Sequence, residues 1–431
     1  MLFEHIAVLT PEGILENQFV GVLGVKIAYL SKRRPARAYG ETYNGRGKLL
    51  LPGFVNAHSH LPMALMRGYG ENMVLSEWLT RRIFPFEAML TGEDIYWATL
   101  LGIAEMLRYG ITSTTDMYSR LDDMARAFAE AGAKVNLSNG VTNVDGIPYA
   151  DIQAVQEARG MAARWQNAER GRIRIDMSLH AEYTSDEKTA RAVAEDAARL
   201  GARVHVHVSE TRPEHEGCKA RRGGRTPARY LSDAGLFDVP ATAAHCVHIE
   251  DGDLEILREK GVTVATCPKS NLKLASGMFD AKAALSAGVK FAVGTDSVAS
   301  NNNLNMMEEV RTFLLAQKGF SGDPTLITPL EALAAATRAG ALAQGREDTG
   351  EIRVGCRADL CVLDISSPAM QPVHDLLNNV AYAASGSDIV MTLCDGRVLY
   401  REGDYPTIDI ERVVRQVGKT RKRIVGALQD G

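Results

Sequence analysis

Between residues 53 and 346 the chain repeats one pattern, a short apolar run followed by a longer stretch with helical periodicity. The runs fall at 51–58, 111–116, 134–138, 172–180, 203–208, 241–245, 262–266 and 290–296. Parallel strands need a crossover between them, and a helix supplies it. A sustained strand–helix alternation therefore predicts an α/β fold with a parallel sheet under a layer of helices. Eight such units fit a closed (β/α)8 TIM-like barrel. The last helix carries its own start signal, with Thr328 as N-cap, Pro329 in the first turn and Glu331 at the capping-box position.

The flanks read differently. Residues 1–52 hold apolar segments broken by Pro11-Glu-Gly13 and by the polar stretch 31–47. Beyond 346 short β segments return, at 351–364 and 389–400, the second as a hairpin on Asp395-Gly396. The simplest expectation is a small discontinuous β-sandwich domain built from both ends, 1–52 and 347–431, beside a catalytic barrel at 53–346. Residues 408–428 add an amphipathic terminal helix.

Composition removes several function classes. A net charge of −4 with both signs interspersed leaves no nucleic-acid footprint. No apolar run reaches the ~18 residues of a membrane span, and Met-Leu-Phe-Glu-His lacks the basic start of a signal peptide. Six scattered cysteines without a C-x-x-C pair predict free thiols, hence a reducing, cytoplasmic setting.

In a barrel of this kind the chemistry comes from the carboxyl ends of the strands. The polar residues there are His58, His60, Asp116, His180, His207, His245 and Asp296, with Glu210 just beyond. Five of the ten histidines stand at such ends, which points to a metal centre. Residues i and i+2 of a strand share a face about 6.6–7 Å apart. His58 and His60 can thus reach one ion at a metal–nitrogen distance of about 2.0–2.1 Å. Three imidazoles and a carboxylate suit Zn²⁺ or Fe²⁺ and bring the pKa of a water toward roughly 7. A hydrolytic reaction then needs a proton acceptor and a proton donor; Asp296, His245 and Glu210 stand where those groups are required.

Pro52-Gly-Phe-Val-Asn-Ala-His-Ser-His60, Ala244-His-Cys-Val-His248, Cys267-Pro-Lys-Ser-Asn-Leu-Lys-Leu274, Gly294-Thr-Asp-Ser-Val-Ala-Ser-Asn-Asn302 and Gly350-Glu-Ile-Arg-Val-Gly-Cys-Arg-Ala-Asp-Leu360 occur in this order. Together they resemble the amidohydrolase superfamily, in its branch of 5-methylthioadenosine/S-adenosylhomocysteine deaminases and related nucleobase deaminases. The resemblance implies that His58, His60, His207 and Asp296 are metal ligands. His207 is selected over His205 because Glu210 follows it by three residues, which leaves His205 as a core or supporting histidine. It implies Glu210 as the acid that protonates the ring nitrogen beside the attacked carbon. His245 would hydrogen-bond the attacking water, and Asp296 would double as proton acceptor. No lysine ends the fourth strand, where binuclear members carry a carboxylated one, so one divalent ion is implied, zinc first, with iron or manganese served by the same ligands. A homo-oligomer, dimer or tetramer, is a further implication.

For substrate, Leu75-Ser-Glu-Trp-Leu79 and Pro85-Phe-Glu87 resemble the nucleoside-deaminase branch, with Trp78 lining the pocket, Glu87 accepting from both ribose hydroxyls and His180 contacting the nucleoside. Without the resemblance, Trp78 reads as a helix-face aromatic and Glu87 as a solvated carboxylate. Family members that grip a homocysteine carboxylate place an arginine after the third strand, whereas residues 140–149 here hold no arginine or lysine. Adenosine, 5′-deoxyadenosine and 5′-methylthioadenosine are therefore expected ahead of S-adenosylhomocysteine, with Asn143 and Asp145 facing a neutral polar 5′ group, or with His180, Arg81 or Arg82 standing in for the arginine. The same site would also serve a deaminase or amidohydrolase of a free base or another N-heterocycle, such as cytosine, guanine or a triazine. Glu210 argues for a ring nitrogen next to the leaving group, and Glu87 for a ribose.

Overall fold

The computed structural model describes residues 1–430. The N-terminal strands are β1 (Leu2–Thr10), β2 (Gly13–Leu23), β3 (Lys26–Ser31), β4 (Thr42–Asn44) and β5 (Lys48–Pro52). Ten strands follow in alternation with helices: β6 (Phe54–His60), β7 (Ile111–Met117), β8 (Lys134–Ser138), β9 (Ile173–Ile175), β10 (Met177–Leu179), β11 (Val204–Val208), β12 (Ala241–His245), β13 (Thr263–Thr266), β14 (Lys290–Val293) and β15 (Asp296–Ser297). The last three are β16 (Leu360–Asp364), β17 (Ile389–Cys394) and β18 (Arg397–Arg401), before the terminal helix Ile410–Asp430.

Both chain ends supply one sheet, in the order β18-β17-β16-β5-β1-β2-β3, with β4 also pairing β1. β16 joins β5 antiparallel in an unbroken five-residue register from Leu360–Pro52 to Asp364–Lys48. Period-two alternation explains why these strands are apolar throughout. Leu49, Leu51, Cys361 and Leu363 pack into the large helix-covered core, while Leu50, Leu360 and Val362 face a second core with Phe3, Ile6, Val20 and Met391. The β17–β18 hairpin turns on Asp395 and Gly396, both at positive φ (49° and 74°), as a two-residue primed turn requires.

The middle of the chain forms two parallel five-stranded sheets, β15-β6-β7-β8-β9 and β10-β11-β12-β13-β14. The runs expected at 172–180 and 290–296 are each interrupted. One breaks at Asp176 into β9 and β10, and the other at Gly294-Thr295 into β14 and β15. Each broken run therefore pairs with both sheets. Asp176 is buried; its N–H donates to Leu137 O at 2.8 Å and its carboxylate accepts from Asn136 Nδ2 at 2.8 Å.

The connection after β6 is more helical than the sequence suggests. Leu75–Trp78 and Phe84–Glu87 are α-helical, and Leu79–Ile83 between them is a wider, π-type turn. Pro85 lacks the N–H that would bond the carbonyl one turn back, which favours this widening. The helix Gly92–Arg108 follows, opened by a Thr91/Asp94 capping box, and the Thr328/Glu331 box opens Pro329–Ala335 as expected. No helix among the described residues is long and apolar enough to cross a membrane. All six cysteines are buried and free.

Candidate metal and substrate site

The polar strand ends converge on one point. His58 and His60 leave the end of β6 on the same face, and β15 lies beside them with Asp296 paired to Ser59. Gly294 permits this approach, since a β-carbon there would sit 2.8 Å from the backbone nitrogen of His58. β11 brings His207, and β12 brings His245, each at its carboxyl end. Ser209, His245 and Asp296 all take left-handed backbone angles (φ 50°, 70° and 60°). Such angles cost about 1–3 kcal/mol each and cluster where function needs a side chain re-aimed.

Two overlapping groups of donor atoms result, His58/His207/His245 and His58/His60/Asp296, each within 4.8 Å. Asp296 Oδ1 lies 3.3 Å from His60 Nε2 and 3.6 Å from His58 Nε2. The second separation is too long for a hydrogen bond, and His58 Nε2 is buried with no other partner.

The far nitrogens explain why the near ones are available. His60 Nδ1 donates to Met117 O at 2.5 Å, and His207 Nδ1 donates to His180 O at 2.8 Å. A carbonyl only accepts, so each of these rings, when neutral, keeps its lone pair on Nε2. His58 Nδ1 is 2.7 Å from His205 Nε2, and His245 Nδ1 is 2.9 Å from Asn271 Oδ1. Partners of this kind fix ring orientation and tautomer around a bound metal. Ser270 Oγ and Ser300 Oγ donate to the other oxygen of Asp296, at 2.5 and 2.9 Å. The donor set and the orphaned buried nitrogen fit a divalent cation.

Electrostatics agree. Burial works against the Asp296 charge, but the surrounding imidazoles outweigh it and hold its carboxyl well below the usual range. Burial likewise opposes a charge on His60, yet Asp296 lifts it to about 9. Burial, with neighbouring imidazoles adding to it, lowers His58 to about 3 against the pull of Asp296, and lowers His180 to about 4, keeping these rings neutral. Glu210 Oε2 stands 3.8 Å from His245 Nε2, and burial pushes its carboxyl upward, toward the protonated form an acid needs.

These groups open into a cleft of about 910 Å³. Trp78, Glu87 and His180 line it, together with His60, His207, Glu210, His245 and Asp296. Of the residues singled out from sequence, His58 lies beneath the cleft, fully buried, and Asp116, Arg81 and Arg82 do not line it. Trp78 is 5% exposed and no free surface aromatic. Glu87 is half-buried and accepts from Tyr118 Oη at 2.6 Å, and burial raises its pKa against the pull of that bond.

Sequence reasoning gave no role to Tyr118, Ser270, Asn271 or Ser300. Ser270, Asn271 and Ser300 do fall inside the quoted motifs 267–274 and 294–302, so the signal was present without its geometry. Asp116, at the end of β7, accepts from Ser59 Oγ (2.7 Å) and the backbone N–H of Leu61 (2.8 Å) and holds the turn after β6. Arg81 and Arg82 do not line the cleft. Arg81 turns to Glu77 at 3.7 Å, and Arg82 lies over the Tyr69 ring at 5.7 Å.

Comparison with known proteins agrees with this geometry. The chain is 40% identical over 419 residues to a 5-methylthioadenosine/S-adenosylhomocysteine deaminase of Dictyoglomus thermophilum, covering 97% of each. A crystal structure of an adenosine deaminase from Xanthomonas campestris with bound zinc superposes with a TM-score of 0.93 at 32% identity, covering 99% of this chain and 98% of that one. An atrazine chlorohydrolase from Arthrobacter aurescens shares the fold, with a TM-score of 0.89 at 24% identity over 97% of this chain and 99% of that one. Residues 49–399 match the amidohydrolase family, and the chain belongs to that family.

Proposed function

We propose that the protein hydrolyses the exocyclic amine of adenine nucleosides, giving the inosine analogue and ammonia. The observation that carries this reading is one cleft that holds both a four-imidazole, one-carboxylate cluster and, at its side, the half-buried acceptor Glu87. The near-full-length likeness to a nucleoside deaminase supports it.

His58, His60, His207 and Asp296 would hold one divalent cation, zinc by analogy with the zinc-bound adenosine deaminase. Bound there, the ion supplies a water acidic enough to lose a proton near neutral pH. The protein's own residues do the rest. Glu210, its carboxyl pushed toward the protonated form by burial, donates to the ring nitrogen beside the amino-bearing carbon as charge develops there. His245, its ring fixed by Asn271, holds the attacking oxygen from one side. Asp296, with its second oxygen tied to Ser270 and Ser300, accepts a proton and passes it to the departing amine. Trp78 packs on the nucleoside, Glu87 takes the two ribose hydroxyls against Tyr118, and His180 contacts the sugar side.

We read the two parallel sheets as one closed (β/α)8 barrel over residues 53–346, supported by the two broken runs that pair with both sheets. The sheet from residues 1–52 and 347–431 is read as the small β-sandwich domain. The free, buried thiols support a cytoplasmic setting.

The test is ammonia release by metal-replete enzyme offered adenosine, 5′-deoxyadenosine, 5-methylthioadenosine, adenine, cytosine and guanine side by side. Turnover of the nucleosides is expected. Turnover of bases alone, or of nothing, refutes the reading. Glu87→Gln should raise KM for nucleosides far more than for any base; an equal effect on both removes its ribose role.

A further inference from the structure

We propose that Arg120 selects the 5′ end of the substrate by taking the carboxylate of an amino-acid tail; the inference rests on the nucleoside-deaminase reading. Seven side chains lining the cleft are carboxylates, and Arg120 is the one arginine or lysine among the described lining residues. The acids nearest it in sequence are already engaged. Asp123 accepts from Arg126 at 3.1 Å, and Asp122 accepts from Trp165 Nε1 at 2.8 Å. Glu157 accepts from the Leu121 N–H at 2.8 Å and from Asn139 at 2.6 Å. Among the described residues, no carboxylate lies within 4.0 Å of the Arg120 guanidinium.

The local chain explains why it is spare. Arg120 sits immediately before the helix Leu121–Ala131, where an oxygen-bearing side chain normally caps the first turn. Glu157 reaches across to bond the Leu121 N–H instead. The arginine backbone is left-handed (φ 58°, ψ 52°) and its side chain makes no cap bond.

Placement supplies the substrate chemistry. Arg120 follows by two residues Tyr118, whose hydroxyl holds Glu87, the proposed ribose acceptor. A substituent on the 5′ carbon leaves the sugar away from the reacting ring. It therefore runs from the imidazole cluster toward the outer cleft, which Arg120 and Asp145 line. Val144 and Ile147 stand on the same rim, 72% and 45% exposed, and offer apolar cover to a thioether chain. A guanidinium fork holds a carboxylate through two parallel bonds, and Asp145 is available to the ammonium of the same zwitterion. The absence of an arginine in residues 140–149 thus does not leave the tail without an anchor, because the preceding connection provides one. The surplus of carboxylates disfavours a 5′-phosphate dianion in the same place.

The experiment measures kcat/KM of metal-replete wild type, Arg120→Gln and Arg120→Lys on S-adenosylhomocysteine, its carboxyl methyl ester, 5-methylthioadenosine and adenosine 5′-phosphate. In Arg120→Gln the ratio of S-adenosylhomocysteine to 5-methylthioadenosine should fall about ten- to hundredfold, the scale of a charged hydrogen-bonded contact, and mostly through KM. The wild type should prefer the acid to its ester, and Arg120→Gln should lose that preference. Arg120→Lys should recover part of it, which a purely structural role would not produce. An unchanged ratio in Arg120→Gln, a wild type that prefers the ester, or better turnover of the phosphate overturns the inference while leaving the deaminase reading intact. A wild type silent on every nucleoside overturns both.

Discussion

Lys134, the first residue of β8, is fully buried at the end of the sheet opposite the imidazole cluster, and replacing it with methionine tests what holds the two parts of the fold together. Its ammonium pairs with Asp359, and with Asp395 at 2.7 Å. Both acids belong to the C-terminal segment. Asp395 also has Arg357 at 3.0 Å, so the deficit in Lys134→Met falls on Asp359. That carboxylate keeps the Asp395 N–H (2.8 Å) and the Thr349 hydroxyl (3.3 Å) but loses its ion-pair partner. Neutralising a buried aspartate at pH 7 costs about 1.36 kcal/mol for each unit above its free value of about 3.9, or about 4 kcal/mol. Stripping one partner from a buried pair costs a similar ~3–5 kcal/mol. The sign with pH follows. In the wild type burial opposes the Asp359 charge, but Lys134 outweighs it and holds the pKa down. Its contribution is therefore present above the unfolded pKa and constant from pH 5 to 7. Lys134 is held upward by the same pair, against burial, so its contribution is also constant there. In Lys134→Met the aspartate pKa rises above the unfolded value, so the penalty shrinks as pH falls, to about 1.5 kcal/mol at pH 5. Urea unfolding of both proteins at pH 5, 6 and 7 reads this directly. The gap should be about 3–5 kcal/mol at pH 7 and narrow by about 2–3 kcal/mol at pH 5. A gap below about 1 kcal/mol at pH 7, within the range of exposed ion pairs, would refute the reasoning. A gap that does not move with pH would do the same.

Two further perturbations probe the site. Glu210→Gln should lower kcat on nucleosides by about 10²–10⁴ while bound metal stays equal to wild type, the signature of a lost proton donor; measured metal content and kcat that fall together would instead assign Glu210 to metal binding. His205→Phe removes the partner of His58 Nδ1 and should weaken metal affinity about 10- to 100-fold in a chelator competition, with activity recovered by added zinc; unchanged affinity would make His205 a packing residue only.

The strands were legible because burial on both faces forces continuous runs of apolar and small residues, as Leu49–Leu51 and 241–245 illustrate. Caps at Thr328 and the Asp395-Gly396 turn were legible because a backbone requirement selects a side chain locally. The breaks at Asp176 and Gly294-Thr295 were not, since they depend on Asn136 and on the backbone of His58, far away in sequence. The helix carrying Trp78 and Glu87 was obscured by Pro85, which reads as a breaker and here only widens a turn. In the site, residue types at strand ends announced the imidazoles and acids. What fixes their tautomers did not show, because Met117 and His180 act through backbone carbonyls that any residue possesses.

The pairing of β16 with β5 also sets a timetable for synthesis. Pro52 and Cys361, in contact across that pair, are 309 residues apart, so at about 5–20 residues per second the ribosome takes about 15–60 s to deliver the partner. Over that interval the nascent β5 offers an apolar edge with free backbone groups, the kind that recruits other chains. It is also the stretch that runs through Gly53 straight into His58 and His60. Under the proposed ligand set a complete ion site waits for Asp296, the last of its ligands to emerge, and β5 gains its β16 neighbour later still. On that proposal metal loading is a late event of maturation, and until β16 is made residues 48–52 lack the neighbour that pairs them in the folded protein.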